Sequence, residues 1–195
     1  MNLTKILTIV FFLGAAGAGY ALYDGINSTI EEAKKIERVE STVRAKLEMI
    51  RSAQIAYQGT FGDYADSWEK LINYVDSGKI WLIQRTEKIT MLAYGAEKSE
   101  FIYDTLGFRM VRDSLFKSAQ YPNFDPWALP ELPHAPGKYF SLYARDSVRS
   151  GVNVDYLEVV DVFPYDRTRS EDNDIPNRRY LRFGSRTEIT TAGNW

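Results

Sequence analysis

The sequence predicts an α+β protein in which an N-terminal transmembrane helix leads into a long amphipathic helix and then into a small, mainly antiparallel β-rich domain. Three observations carry that expectation. Eighteen uncharged residues run from Ile6 to Tyr23. An apolar stripe at three- and four-residue steps follows from Ile26 to Tyr57. Beyond Lys79 the chain breaks into short alternating runs between turn formers. The expected divisions are an anchor over 1–24, the amphipathic helix over 25–58 and an α+β domain over 59–195.

A helix over residues 6–23 would extend about 27 Å, against a hydrocarbon core of about 30 Å. Lys5 and the amino terminus precede it, while Asp24, Glu31 and Glu32 follow. The positive-inside rule then places the amino terminus in the cytoplasm and residues 24–195 outside the inner membrane. The competing reading is a cleaved signal peptide, with an apolar stretch from Ile6 to Leu13 and with Ala16 and Ala18 spaced for a peptidase. The retained anchor is the expectation adopted. Within it Gly14 and Ala18, Ala15 and Gly19, and Gly17 and Ala21 form small-residue pairs at four-residue spacing. That spacing lets membrane helices approach closely, so Gly14 and Ala18 are expected contact residues.

Ser28 and Glu31 have the spacing of a capping box, which would restart the helix after Gly25, the alternative being a helix that continues through Gly25. Its stripe comprises Ile26, Ile30, Ala33, Ile36, Val39, Val43, Leu47 and Ile50, close to coiled-coil spacing. The acid-first pairs Glu31–Lys35 and Glu40–Arg44 read as a solvated face, each worth about 0.2–0.5 kcal/mol. From Ser28 to Gln58 the helix would be about 46 Å long, more than a small domain needs. Its first half is expected to pack on something else, with Ile30, Val39 and Val43 as assembly residues, the alternative being that the stripe docks on the C-terminal domain.

Gly59 and Gly62 are expected to end this helix, and Asp66-Ser67 to introduce a shorter one with Trp68, Leu71, Ile72 and Val75 on one side. Tyr57, Phe61 and Trp68 read as packing aromatics. Five or six strands are expected, over Ile80–Ile83, Phe101–Thr105, Phe108–Val111, Tyr139–Ala144, Val152–Phe163 and Tyr180–Phe183. Pro122, Pro126, Pro130, Pro133 and Pro136 exclude a central strand between them and predict an ordered loop anchored by Phe124, Trp127 and Leu129. From Pro164 to Glu188 six arginines mix with five acids, a pattern that reads as a solvated loop.

The charge balance, 24 basic against 26 acidic residues, argues against nucleic acid as a partner. With no cysteine and His134 as the single histidine, thiolate sites, disulfides and zinc sites with two histidines are excluded within one chain. No G-x-S-x-G, Walker loop or G-x-G-x-x-G occurs, the glycines from Gly14 to Gly19 belong to the expected anchor, and His134 reads as a loop residue. Glu171-Asp172-Asn173-Asp174 offers oxygens to calcium but lacks the glycine turn and distal glutamate of an EF-hand loop. No catalytic, cofactor-binding or metal-binding residue is therefore expected.

A membrane helix running into an amphipathic helix and then a sheet resembles type IV pilins and the pseudopilins of type II secretion. That family has a glutamate inside its apolar helix, whereas no acid occurs here between Met1 and Tyr23. The segment Ile50-Arg51-Ser52-Ala53-Gln54-Ile55-Ala56-Tyr57 is also similar to a group of single-pass envelope proteins of Bacteroidota. The likeness continues through Gly62-Asp63-Tyr64, Leu71-Ile72, Asp113-Ser114-Leu115-Phe116, Gly184-Ser185 and Gly193-Asn194-Trp195. It implies an envelope setting and an organism group, and no mechanism.

The function expected from these features is that of a non-enzymatic, inner-membrane structural subunit of a pseudopilin-like envelope assembly. Its partners would be the membrane, other protein subunits and further copies of itself. The alternative is a membrane-tethered periplasmic module whose proline-rich loop around Trp127, or final charged segment, holds a peptide or envelope polymer. An envelope hydrolase ranks third.

Overall fold

The computed structural model describes residues 3–91, 97–149 and 151–195; the side chains of residues 3–6, 9, 90, 97 and 98 lie outside that description. One helix, α1 (Leu3–Phe61), leads into α2 (Trp68–Ser77), the hairpin β1 (Lys79–Met91) and β2 (Glu97–Met110), the short α3 (Val111–Leu115), and β3 (Ser141–Arg149), β4 (Val152–Val160) and β5 (Arg182–Ser185). The chain is thus α+β with a long N-terminal helix and small antiparallel sheets. The strands form two sheets: an isolated β1–β2 pair, and a three-stranded sheet in the order β3-β4-β5.

α1 runs unbroken through Asp24 and Gly25, about 88 Å at 1.5 Å per residue. Of the two expectations at Gly25, a restart at Ser28 and a helix that continues, the structure has the continuous helix, and the Ser28 hydroxyl donates to the Gly25 carbonyl at 3.0 Å. The expected membrane span, residues 6–23, lies within α1 but includes Ile6 and Ile9, whose side chains are outside the description. Among the described residues no helix is long and apolar enough to cross a membrane. Gly59 remains helical; Gly62 terminates α1 with a left-handed φ of 94° and an N–H donated to the Gln58 carbonyl at 2.8 Å.

The core joins the far half of α1 to the rest of the chain. Val43, Leu47, Ile50 and Ala53 pack with Leu71 and Val75 of α2, Val111, Leu129, Leu132 and Phe140, and Leu157, Val159 and Phe183 of the three-stranded sheet. It therefore crosses the expected boundary at residue 59. Gln54, also fully buried, uses both ends of its amide on one residue: Nε2 donates to the Ala65 carbonyl at 3.0 Å and Oε1 accepts the Ala65 N–H at 2.9 Å. Such a pair leaves little of the amide unsatisfied and holds the turn after α1 against it. Gln58 reaches β4 through Asp155 at 3.0 Å.

Phe101–Thr105 and Phe108–Val111 merge into β2, because an extra residue at Leu106 bulges out and lets pairing resume from Leu82–Gly107 to Ile83–Thr105. Val111 itself starts α3 rather than ending a strand. β5 is short and pinned: the Gly184 N–H donates to the Ala192 carbonyl at 2.9 Å, and Asn194 accepts the Arg182 N–H at 3.0 Å. At Gly184 φ is 78°, and a Cβ would stand 1.9 Å from the Leu157 carbonyl oxygen. Gly184→Ala should therefore open the β4–β5 ladder and cost at least about 3 kcal/mol, a Tm loss of roughly 6–12 °C. A thermal melt matching wild type would disprove this account of the glycine.

Candidate functional site

α1 changes character along its length. From Leu7 to Lys35 its described side chains are all exposed, Leu7, Phe11, Phe12, Leu13, Tyr20 and Ile26 among them. From Val39 onward the same stripe turns inward. A Cβ at Gly14 would meet nothing within 4 Å, and Ala18, one turn on, is equally open. Ile30 is 45% exposed and Val39 half-buried. Val43 corrects the expectation: at 1% exposure it belongs to the core, because the stripe there meets α2 and the sheet instead of a partner.

Glu40 corrects a second one. Only 6% exposed, it is not part of a solvated face but is clamped by Arg169 from the far end of the chain. Arg169 Nη2 donates to Glu40 Oε2 at 2.8 Å, Nε to Oε1, and Nη1 to the Asn177 and Arg179 carbonyls at 2.7 and 2.8 Å. Arg44 adds a bond to Glu40 at 3.1 Å. Burial pushes the Glu40 carboxyl up, but the bonds and charges of Arg169 and Arg44 outweigh it and hold the group below its ordinary value. The stability this contributes is present above the ordinary glutamate range and is lost as the pH falls through the lowered value.

Beside this clamp lie Asp161 and His134. Asp161 accepts the Phe163 N–H at 2.9 Å, and its other oxygen is 3.8 Å from His134 Nε2. His134 Nε2 is 2.8 Å from the Phe163 carbonyl, which can only accept, so this nitrogen carries the proton. Its Nδ1 is buried without a partner. Burial raises the Asp161 carboxyl, so its protonated form favours the fold, opposite in sign to Glu40. Among the described residues no serine hydroxyl bonds His134, and no three potential ligands gather for a metal ion. Glu171 of the acidic run is instead gripped by Arg182 at 2.6 and 2.7 Å, while Arg182 and Arg186 also hold buried Glu158. The stretch read as a solvated loop is thus partly a framework of ion pairs.

A groove of about 820 Å³ runs between Thr29, Glu32 and Ile36 of α1 and the loop carrying Tyr165 and Arg167, with His134 at its floor. A second, of about 380 Å³, lies between Lys46 and Met49 of α1 and the proline-rich loop at Tyr121, Phe124 and Leu129. Burial lowers the Lys46 ammonium, with Glu131 acting against it. Phe124 stacks on Phe116 at 4.1 Å, and Leu129 is buried, as loop anchors should be. Trp127 is not an anchor: it is 63% exposed, because the turn at Pro126–Ala128 directs it outward.

Periodicity would have located both hidden polar groups. Glu40 continues the steps Ile36, Val43 and Leu47, and Gln54 continues Ile50 and Tyr57, so each is a polar residue on the apolar stripe. Their partners, Arg169 and the Ala65 backbone, have no such signal. No known family model matches the chain, and no similar curated protein or solved structure is found.

Proposed function

We propose that this chain is a non-enzymatic, single-pass inner-membrane structural subunit of a cell-envelope assembly, with a pseudopilin-like arrangement. In this reading residues 6–23 lie in the bilayer, the amino terminus is cytoplasmic and residues 24–195 are periplasmic. The observation that carries it is the division of α1: one continuous helix whose second half joins the core and whose first half exposes an apolar surface that none of the other described residues covers. Exposed apolar surface of that extent calls for a lipid or protein environment. Gly14, Ala18 and Ile30 are the residues proposed to meet partner helices, with Val39 at the margin.

The test is purification of the full-length protein from its own membranes in mild detergent, with mass analysis of the chain and of what accompanies it. Gly14→Leu combined with Ile30→Asp is expected to release the accompanying subunits at least tenfold while leaving the melting temperature within about 2 °C, since both positions are open. A complex that survives both changes intact would remove α1 from the assembly.

The proline-rich groove supports a second reading, a tethered module that holds a peptide. Its apolar wall of Met49, Tyr121 and Phe124 with Lys46 at the rim suits a peptide carrying both an apolar side chain and a carboxylate. Loss of a bound envelope peptide on Lys46→Glu would favour it.

A further inference from the structure

The β1–β2 hairpin is an arm that the other described residues leave uncovered. Strand alternation and register place Trp81, Ile83, Ile89, Phe101, Tyr103 and Phe108 on one face. Each is between 41% and 62% exposed, and Met91 on the same face is 75% exposed. The opposite face is mixed, with Gln84, Thr86, Lys88, Glu100 and Asp104 among Leu82 and Ile102. A two-stranded hairpin in water is marginal by itself, and one with a largely aromatic and aliphatic face calls for a cover.

We infer that the cover is the same face of a second copy, packed sheet on sheet about a two-fold axis that crosses the arm at Thr86. Two features commit the face to itself. The first is charge. Arg85 and Glu87 are the two charged residues at mid-face, and among the described residues neither forms an ion pair; Arg85 lies over the Phe101 ring at 3.7 Å. Inverting the strand about Thr86 sets Arg85 on Glu87 of the second copy, Ile83 on Ile89, Trp81 on Met91 and Phe101 on Tyr103. In that register the apolar residues of β1 meet apolar ones and Arg85 meets Glu87, while on β2 Thr105 meets Ser99 and Phe108 falls at the position of Glu97 at the end of the arm. Any other centre along β1 loses the charge match, and like charges brought together would oppose association.

The second feature is area. Seven side chains at these exposures present on the order of 800 Å² per copy, which is what one partner contributes to an interface of standard size. Two such faces stacked about 10 Å apart would form a small two-layer β-sandwich, and the marginal hairpin would gain the second layer that it lacks. This contact is separate from the one proposed for α1 and does not depend on it.

Since the chain has no cysteine, single cysteines report the register directly. Full-length Ile83→Cys and Ile89→Cys proteins, mixed in detergent and treated with a short bismaleimide, are expected to crosslink at least fivefold more than either alone. In the inferred register residue 83 faces residue 89, while two copies of residue 83 stand roughly 20 Å apart at about 3.3 Å per residue. Arg85→Glu and Glu87→Arg should each abolish that crosslink, and the double exchange should restore it. Equal crosslinking in the mixed and unmixed samples, no crosslinking in any, or no restoration by the double exchange would overturn the inference. Oligomers held only by α1 would still form in those cases, so the two contacts fail independently.

Discussion

Val43→Asp should unfold the protein, whereas Ile30→Asp, on the same helical stripe, should leave its stability unchanged. Val43 is 1% exposed among Leu47, Ile50 and the residues of α2 and the sheet, where a carboxylate has neither water nor a partner cation. An isolated buried charge costs more than about 4 kcal/mol, comparable to the whole stability of a small domain. At Ile30 the side chain is 45% exposed, and a surface change there is worth less than about 0.5 kcal/mol. Thermal melts of the two full-length variants decide the matter. Equal stability would mean that the stripe is not divided between core and open face, and α1 would have to be reconsidered along its whole length.

Arg169→Ala is expected to cost about 3–5 kcal/mol, because it strips the bidentate partner from a buried carboxylate. Among the described residues Arg44, more exposed and bonded at 3.1 Å, would remain as the one cation on Glu40. The same change frees the carbonyls of Asn177 and Arg179, so the loop over α1 should loosen and exchange its amide hydrogens faster. A Tm loss of roughly 6 °C or more is expected. Replacing both Glu40 and Arg169 by Met should recover most of it, since an apolar pair of similar size often matches or exceeds a buried ion pair. If the double variant melts no higher than Arg169→Ala, the loss comes from the loop contacts and not from the stranded Glu40 charge.

The two grooves against α1 follow from these same contacts. The Glu40–Arg169 clamp draws the Pro164–Thr168 loop toward the helix, which leaves His134 and Tyr165 lining one groove. The stacked Phe116–Phe124 pair holds the proline-rich loop over Lys46 and Met49 and shapes the other. Loop rigidity and groove shape thus depend on residues distant in the chain.

Local pattern was enough to read α1, α2 and the positions of most strands. Helical periodicity from Ile26 to Tyr57 identifies one long helix, and alternation marks the beginnings of β1, β3, β4 and β5. These signals are local because hydrogen bonding within a helix and pleating within a strand repeat every few residues. The polar stretch Gln84-Arg85-Thr86-Glu87-Lys88 conceals the rest of β1, since its inclusion depends on pairing with Ile102 and its neighbours across the hairpin. Composition likewise marked the proline-rich loop, but not that Trp127 turns outward while Leu129 turns in.

By itself, then, the sequence determined an α+β chain with a long N-terminal helix, an apolar stripe along it and no recognisable catalytic motif. Only the tertiary structure decided where the stripe passes from open surface to core, that Glu40 is clamped from 129 positions away, and that β1 and β2 stand apart from the other strands. The physical reason is that burial is a property of what packs against a residue. A periodic pattern states which side of a helix or strand is apolar, and only the folded chain determines whether its own residues cover that side.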